Sequence, residues 1–568
     1  MSLFLAIRPF QVNPPWQSLN MSGGVSLIRE ITYDSGVVWV NRDKAIVPLD
    51  PPDRFGATSF EQGGVTDFLL RNKVPPETRA SDPFGFASGA FEYGLDLAPG
   101  ADADVSIAIP FHLPEIAAAG PELAEAIADV DGRRKEATEH WRKLLGHVEL
   151  DLPPEAGRIV NTIRSTLAYT LINRDGPRLQ PGSRNYARSW IRDAAFTAAA
   201  LLEMGFTQEV REFLRWFARY QYEDGKIPCC VDYGGADPVP ENDSNGEFLY
   251  TIAEYYRYTR DIGFVSELWP NVVATVGSIA SLRGQRSTED FRTPEKAAYF
   301  GLVPQSISHE GYSSKPVHSY WDGFFTLLGL KDAARLAVAM GDEPRTASFA
   351  ALRDGFQQDL YASIAKVIEK HGLDTIPASV ELADFDPSAT AAALAPGGEA
   401  ENLPQVALRK TFDRYYEEFR QRRDGEIDWN GFAPYEVRVA SAFVRLGERK
   451  RALEVLDYML EGQRPTAWNE WPEIVWRDAE APRFIGDMPH TWIGASFIRA
   501  ARALLAYERE FDHSLVLAGG VPLDWVTNGR RVAVKRLPTH YGAVIYSLES
   551  EQPGTLRMRI YGDFDVPH

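Results

Sequence analysis

The spacing of apolar positions changes three times along this 568-residue chain. From residue 1 to about 115, short apolar runs (Phe4–Ile7, Val37–Val40, Phe91–Leu97, Val105–Ile109) are separated by Gly, Pro, Asp and Asn. That pattern predicts strands and turns, assembled as an antiparallel sandwich. Residues 121–146 turn helical, with Ala124-Glu125-Ala126 early in the run and Trp141, Leu144 and Leu145 on one side. The run stops before Pro153-Pro154 and predicts a connecting helix.

From about 157 to 509 the period is helical. Ile159, Ile163, Leu167 and Leu171 mark one run, and Val210, Phe213, Leu214 and Phe217 another. Val272, Val273, Val276 and Ile279 mark a third, which Pro270 is placed to start. Further runs cover 190–204, 247–260, 324–340, 347–364, 408–419, 437–446, 451–460 and 491–507, with no strand signal between them. About a dozen amphipathic helices with short connections, and no sequence repeat to suggest a solenoid, predict helical hairpins closed into a toroid, six helices inside and six outside. Residues 373–401 interrupt the pattern and read as a long irregular loop of the kind that carries function. After 511 the period returns to two, with Asn528-Gly529 as a turn. The predicted organisation is a β-sandwich at 1–118, a linker helix at 119–154, an (α/α)6 toroid at 155–510 and a small β module at 511–568.

Composition narrows the function. A net charge of −19 argues against nucleic acid and anionic membrane as partners. No apolar stretch suggests a membrane span. The first residues lack the features of a secretory leader, which points to the cytoplasm if Met1 is the native start. The two cysteines, Cys229 and Cys230, are neighbours; they read as buried apolar residues, and no zinc spacing is present. No metal or cofactor is expected. Nothing in the sequence sets the oligomeric state.

Four segments leading into helices gather carboxylates, three of them beside tryptophan. They are Trp190-Ile191-Arg192-Asp193, Glu241-Asn242-Asp243 with Glu247, Tyr320-Trp321-Asp322, and Trp468-Asn469-Glu470-Trp471-Pro472-Glu473. In a toroid the inner helices begin at one mouth, so these motifs converge there. Aromatic faces and carboxylates in one cleft suit a sugar, and glycosidic hydrolysis needs one carboxylic acid and one carboxylate. Each carboxylate taken alone also fits a helix cap, each Trp a packing residue, and His318 and His490 structural histidines. Their co-occurrence carries the functional reading.

Tyr186–Phe196, containing Trp190-Ile191-Arg192-Asp193, resembles the Trp-x-Arg-Asp helix start of glucoamylases and their six-hairpin relatives. Tyr320-Trp321-Asp322 is similar to the acid-bearing segment of trehalases and processing glucosidases. Trp471-Pro472-Glu473, followed by Gly486–Gly494, is similar to the segment where those clans place the base. The chain thus resembles a bacterial branch of the six-hairpin glycosidase superfamily over about 120–510. The resemblance implies Asp322 as general acid and Glu473 as general base. It implies Trp190, Arg192, Asp193, Glu241, Asp243 and Glu247 as sugar-binding residues, with His318, Trp321, Trp471 and His490 flanking them. Asp243 is the rival acid and Glu470 the rival base. The implied activity is an inverting, exo-acting glycoside hydrolase on an oligosaccharide or polysaccharide. The alternatives are an inverting phosphorylase, a lyase or epimerase using His318, His490 or Tyr320, and a glycan-binding protein without catalysis.

Overall fold

Short apolar strands with polar turns fold first into a two-sheet unit. A computed structural model describes residues 1–11, 25–110, 129–309, 311–480, 483–552 and 554–562. It divides into two compact units, Met1–Leu144 and Leu145–His568. In the first, a sheet ordered Ser2–Ile7, Ser88–Gly94, Arg54–Thr58 faces one ordered Ile107–Ala108, Lys44–Pro48, Val37–Val40, Glu30–Asp34, Arg79–Ser81. Ile31, Val38, Phe55 and Phe91 fill the space between them. The helix Val130–Leu144 belongs to this unit and buries no residue fully. The earlier part of the predicted linker helix, including 124–126, lies outside the described residues.

The second unit is a closed ring of hairpins. Six helices, Ile191–Glu203, Ser244–Thr259, Tyr320–Met340, Pro387–Leu394, Val437–Arg445 and Thr491–Leu505, each touch the next, and the last touches the first. Outside them lie Gly157–Asn173, Thr207–Phe217, Ile262–Gly284, Glu343–His371, Gln405–Arg423 and Arg449–Glu461. These twelve, counted among the described residues of this part of the chain, make the (α/α)6 toroid, with burial on both sides of the inner helices. Inner helices pack closely where side chains vanish. A Cβ on Gly246 would overlap the Phe325 carbonyl, and one on Gly329 would overlap the Gly246 backbone. A four-stranded sheet, Glu149–Asp151, Arg531–Thr539, Gly542–Gln552 and Thr555–Tyr561, completes the unit with the hairpin Ala506–Arg509/Ser514–Leu517. Asn528 and Gly529 both take positive φ in the turn before Arg531, as their sequence predicts. Residues 563–568 of the predicted terminal module lie outside the described residues.

Four sequence expectations need correction. Residues 373–401 are not one irregular loop, because Pro387–Leu394 is the fourth inner helix. Asp386 caps it by accepting from the Ser388 and Ala389 N–H groups, and Pro387 opens it. Its alanines are buried all round, so no amphipathic period marks it. Pro270 does not start a helix. It sits inside Ile262–Gly284, whose start is capped by Asp261 accepting from Phe264. That helix is also long and apolar enough to cross a membrane by length and composition, contrary to the sequence reading. Phe264, Val265, Leu268, Val272, Val276 and Ile279 are nevertheless buried, and it packs on two inner helices. Finally, short strands do occur between the helices, as in Ser189–Trp190 with Cys230–Asp232 and Gly431–Phe432 with Val475–Trp476.

Candidate active site

The starts of the inner helices surround a cavity of about 840 Å3. Each start arrives from a loop held by its neighbours. Trp190 pairs with Cys230 in a two-strand link, and Ile191 N–H donates to the Cys229 carbonyl at 2.9 Å, which sets Trp190 at the wall. The buried Asp487 carboxylate accepts from the backbone N–H groups of Arg184, Asn185 and Tyr186 at 2.8–3.2 Å. A carboxylate taking three N–H groups ties the last cleft loop to the first. Gly182 is required beside it, since a Cβ there would overlap the Asp487 side chain.

Of the residues that the sequence singles out, Trp190, Arg192, Asp193, Trp321, Glu473 and His490 line the cavity. Glu473 accepts from the Tyr186 hydroxyl and, at 3.1 Å, from the Tyr435 hydroxyl, so one Tyr holds each oxygen. Arg192 is buried among carboxylates, 2.6 Å from Glu241, 3.6 Å from Asp243 and 3.8 Å from Asp193. His490 is buried, and burial with the nearby Arg438 pushes it down to about 3, so it is neutral at physiological pH.

The others lie behind the wall. Asp322 is buried, does not line the cavity, and accepts from Ser306 Oγ at 2.6 Å and Ser308 Oγ at 2.7 Å. Burial and the Asp243 carboxylate push it up to about 7, against those two hydroxyls. Asp243 makes no cap bond to its helix; its Oδ2 accepts from Trp321 Nε1 at 2.8 Å. Glu241 meets Arg192, and Glu247 is fully buried with neither oxygen partnered among the described residues. Burial and Asp243 raise Glu247 well above the usual carboxylate range. His318 is held between Glu381 (2.7 Å) and Arg286 (2.9 Å). Trp471 is buried, donating to the Met459 carbonyl and packed on Phe497.

Glu470 is buried apart from the cavity, beside Thr166, Tyr169 and Trp471. Burial alone pushes it up to about 7, from 4.5. The folded protein therefore binds this proton more tightly than the unfolded chain. Wild-type stability should fall as pH rises from about 4.5 to 7, by at most about 3 kcal/mol from this group. Glu470→Gln removes that loss, so its stability relative to wild type is expected to rise between pH 4 and pH 8 in chemical denaturation. A pH-independent difference would contradict the buried carboxyl.

Several cleft residues escaped the sequence reading. Tyr435 packs on Trp492 at 4.4 Å between ring centres, and Arg438 lies over that same indole at 4.3 Å. Asp386 lines the cavity, 3.6 Å from His309, which meets Trp321 edge-on. Burial would raise Asp386, but His309 and the two capping N–H groups hold it below the usual range. The Asp386-Pro387-Ser388 start carries an ordinary cap-and-proline signature that could have revealed it. Behind Trp190, Cys229 and Cys230 are buried with their sulfurs 3.3 Å apart, and both lie within 4.8 Å of an Asp237 carboxylate oxygen. Spacing along the chain did not suggest that grouping. The contact with Cys230, which favours the protonated form, and burial raise the Cys229 thiol far above its usual range, so it carries no thiolate.

No family model and no curated protein matches the sequence. Solved structures match the fold. A bacterial glucoamylase complexed with acarbose is 13% identical, with 84% of this chain and 74% of that one covered and a TM-score of 0.58. A rhamnosidase from a Bacillus species is 14% identical at TM-score 0.54, covering 73% of this chain and 41% of that one. The α-L-rhamnosidase from Dictyoglumus thermophilum is 13% identical at 0.51, covering 73% and 44%. The chain therefore shares the helical-toroid fold of these structures, and it spans less than half the length of both rhamnosidases.

Proposed function

We propose that this six-hairpin toroid is a glycoside hydrolase, inverting and exo-acting, with Glu473 as the general base and Asp322 as the general acid. The observation that carries the reading is Glu473 in the cavity wall, each oxygen held by a tyrosine, among Trp190, Trp321 and Trp492. A carboxylate fixed in this way can orient and deprotonate a water. Tyr320–Met340 and Thr491–Leu505 are the third and sixth inner helices, opposite in the ring, so Asp322 and the Glu473 loop approach from opposite sides. Such opposition suits the roughly 6.5–9.5 Å of an inverting pair. Asp322 is buried and is not among the residues that line the cavity, whereas its neighbour Trp321 is. The reading requires the Asp322 carboxyl to come into reach of the cavity when sugar binds.

Arg438, stacked against Trp492, Tyr435 and Trp321, floors the cavity. A floored cavity admits chain ends, which supports exo-action. Five carboxylates, Asp193, Asp386, Glu418, Glu436 and Glu473, line it against three arginines, of which Arg192 and Arg422 are engaged by Glu241 and Glu436 and Arg438 lies over aromatic rings. That balance favours a neutral sugar. α-Glucosidic oligosaccharides head the panel, because the glucoamylase of this fold is complexed with acarbose. Proton NMR of the first product is expected to show the anomer opposite to the bond cleaved, with no phosphate requirement. Strict phosphate dependence would make the protein a phosphorylase. Saturable binding without product would make it a glycan-binding protein.

A further inference from the structure

The far end of the barrel, where the inner helices finish, holds a second cavity of about 240 Å3. Seven arginines face it, and most are matched by acids. Arg257 meets Glu254 at 2.9 Å, Arg335 meets Glu510 at 2.6 Å, Arg499 meets Glu203 at 3.2 Å, Arg502 meets Glu508 at 2.8 Å, and Arg509 meets Asp512. Arg438 and Arg445 have no carboxylate partner among the described residues. Arg438 is buried; its Nε donates to Ser496 Oγ at 3.2 Å and its Nη2 finds no acceptor. Among the described residues Arg445 donates to Ser441 Oγ, at 3.4 Å, and lies over the Tyr507 ring. The Tyr250 hydroxyl, also buried in this wall, has no partner among the described residues.

Arg438, Ser441 and Arg445 form one stripe of the helix Val437–Arg445, at spacings of three and four. Helix ends do not account for both cations. Carbonyl dipoles favour cations at a helix C-terminus, which suits Arg445, but Arg438 is the second residue of its helix, where the dipole opposes a positive charge. Burial pushes Arg438 down to about 10, against the pull of the Asp193 and Asp386 carboxylates on the sugar-cleft side, so it stays charged at neutral pH without an acid in direct contact. A buried charge and unmet donors are costly unless a ligand completes them. In the same wall Glu203 Oε2 has no donor among the described residues.

We propose that this cavity binds a small hydroxylated oxyanion, headed by phosphate or carboxylate, with Arg438, Arg445 and Tyr250 holding the anion and Glu203 accepting from a hydroxyl. The site is separate from the sugar cleft and shares only Arg438 with its floor, so binding here is read without reference to hydrolysis. Isothermal titration of the full chain with glucose 6-phosphate, gluconate and inorganic phosphate, at ionic strength matched with sodium chloride, tests it. Glucose 6-phosphate or gluconate is expected to bind saturably, the better of the two identifying the head group, and inorganic phosphate more weakly than glucose 6-phosphate. Arg445→Gln should weaken the bound ligand by about tenfold or more, and Tyr250→Phe severalfold, since both lose a hydrogen bond to a charged group. Thermal unfolding of each variant without ligand verifies that it is folded. Absence of saturable binding by all three anions, or undiminished affinity in both folded variants, would overturn the site.

Discussion

Replacing Glu473 with Gln is expected to lower kcat by about 10²–10⁴-fold, the range a positioned acid–base group supplies. The amide keeps the shape and can still meet Tyr186 and Tyr435, whose hydroxyls now face the two carboxylate oxygens. It cannot take a proton from water. Thermal unfolding should change little, because volume and neighbours are kept. Added azide, an anion that needs no deprotonation to attack, should restore part of the turnover. A variant within a few fold of wild type would remove Glu473 from the chemistry. The Glu470→Gln variant is the matched control, since that carboxyl is buried outside the cleft.

Asp322→Asn is expected to cost a comparable factor, about 10²–10⁴-fold, on substrates whose leaving group is a sugar. The loss should be much smaller on a nitrophenyl glycoside, whose leaving group departs without a proton. The wild-type pH profile supplies a second check. Burial and Asp243 push Asp322 up to about 7. A general acid must be protonated, so kcat/KM should fall as pH rises through that value, and the Asn variant should lose this limb. Asp386 offers the contrast. It faces the cavity directly, but His309 and two N–H groups hold it below the usual range, which makes it a poor proton donor. Asp386→Asn should weaken substrate binding more than turnover. Loss of turnover in Asp386→Asn with retention in Asp322→Asn would move the acid to Asp386.

The placement of single side chains shows what was legible. Trp190 and Asp193 follow from sequence because they precede or open an apolar helical run, and Glu473 because its motif resembles the base-bearing segment in the loop before Thr491–Leu505; a ring of hairpins brings such segments together. Asp243 and Glu247 occupy the same kind of position but belong to the wall behind Trp321. A helix start specifies an end of the barrel, whereas rotation about the helix axis specifies cavity or core. That rotation depends on neighbours such as Trp321, which covers Asp243. Tyr435 was missed because its partner Glu473 lies 38 residues away on another loop.

By itself the sequence determined the two β regions, the ring of hairpins and the mouth at which the aromatic–carboxylate motifs meet. These follow from the period of apolar residues and from local start signals, which act within a few residues along the chain. The tertiary structure alone decided that Pro387–Leu394 closes the ring, since a helix buried on all sides has no period to display. It also decided which carboxylates face the cavity, and which arginines at the far end lack an acid. Those outcomes depend on burial and on partners distant in sequence, and both exist only once the hairpins have packed.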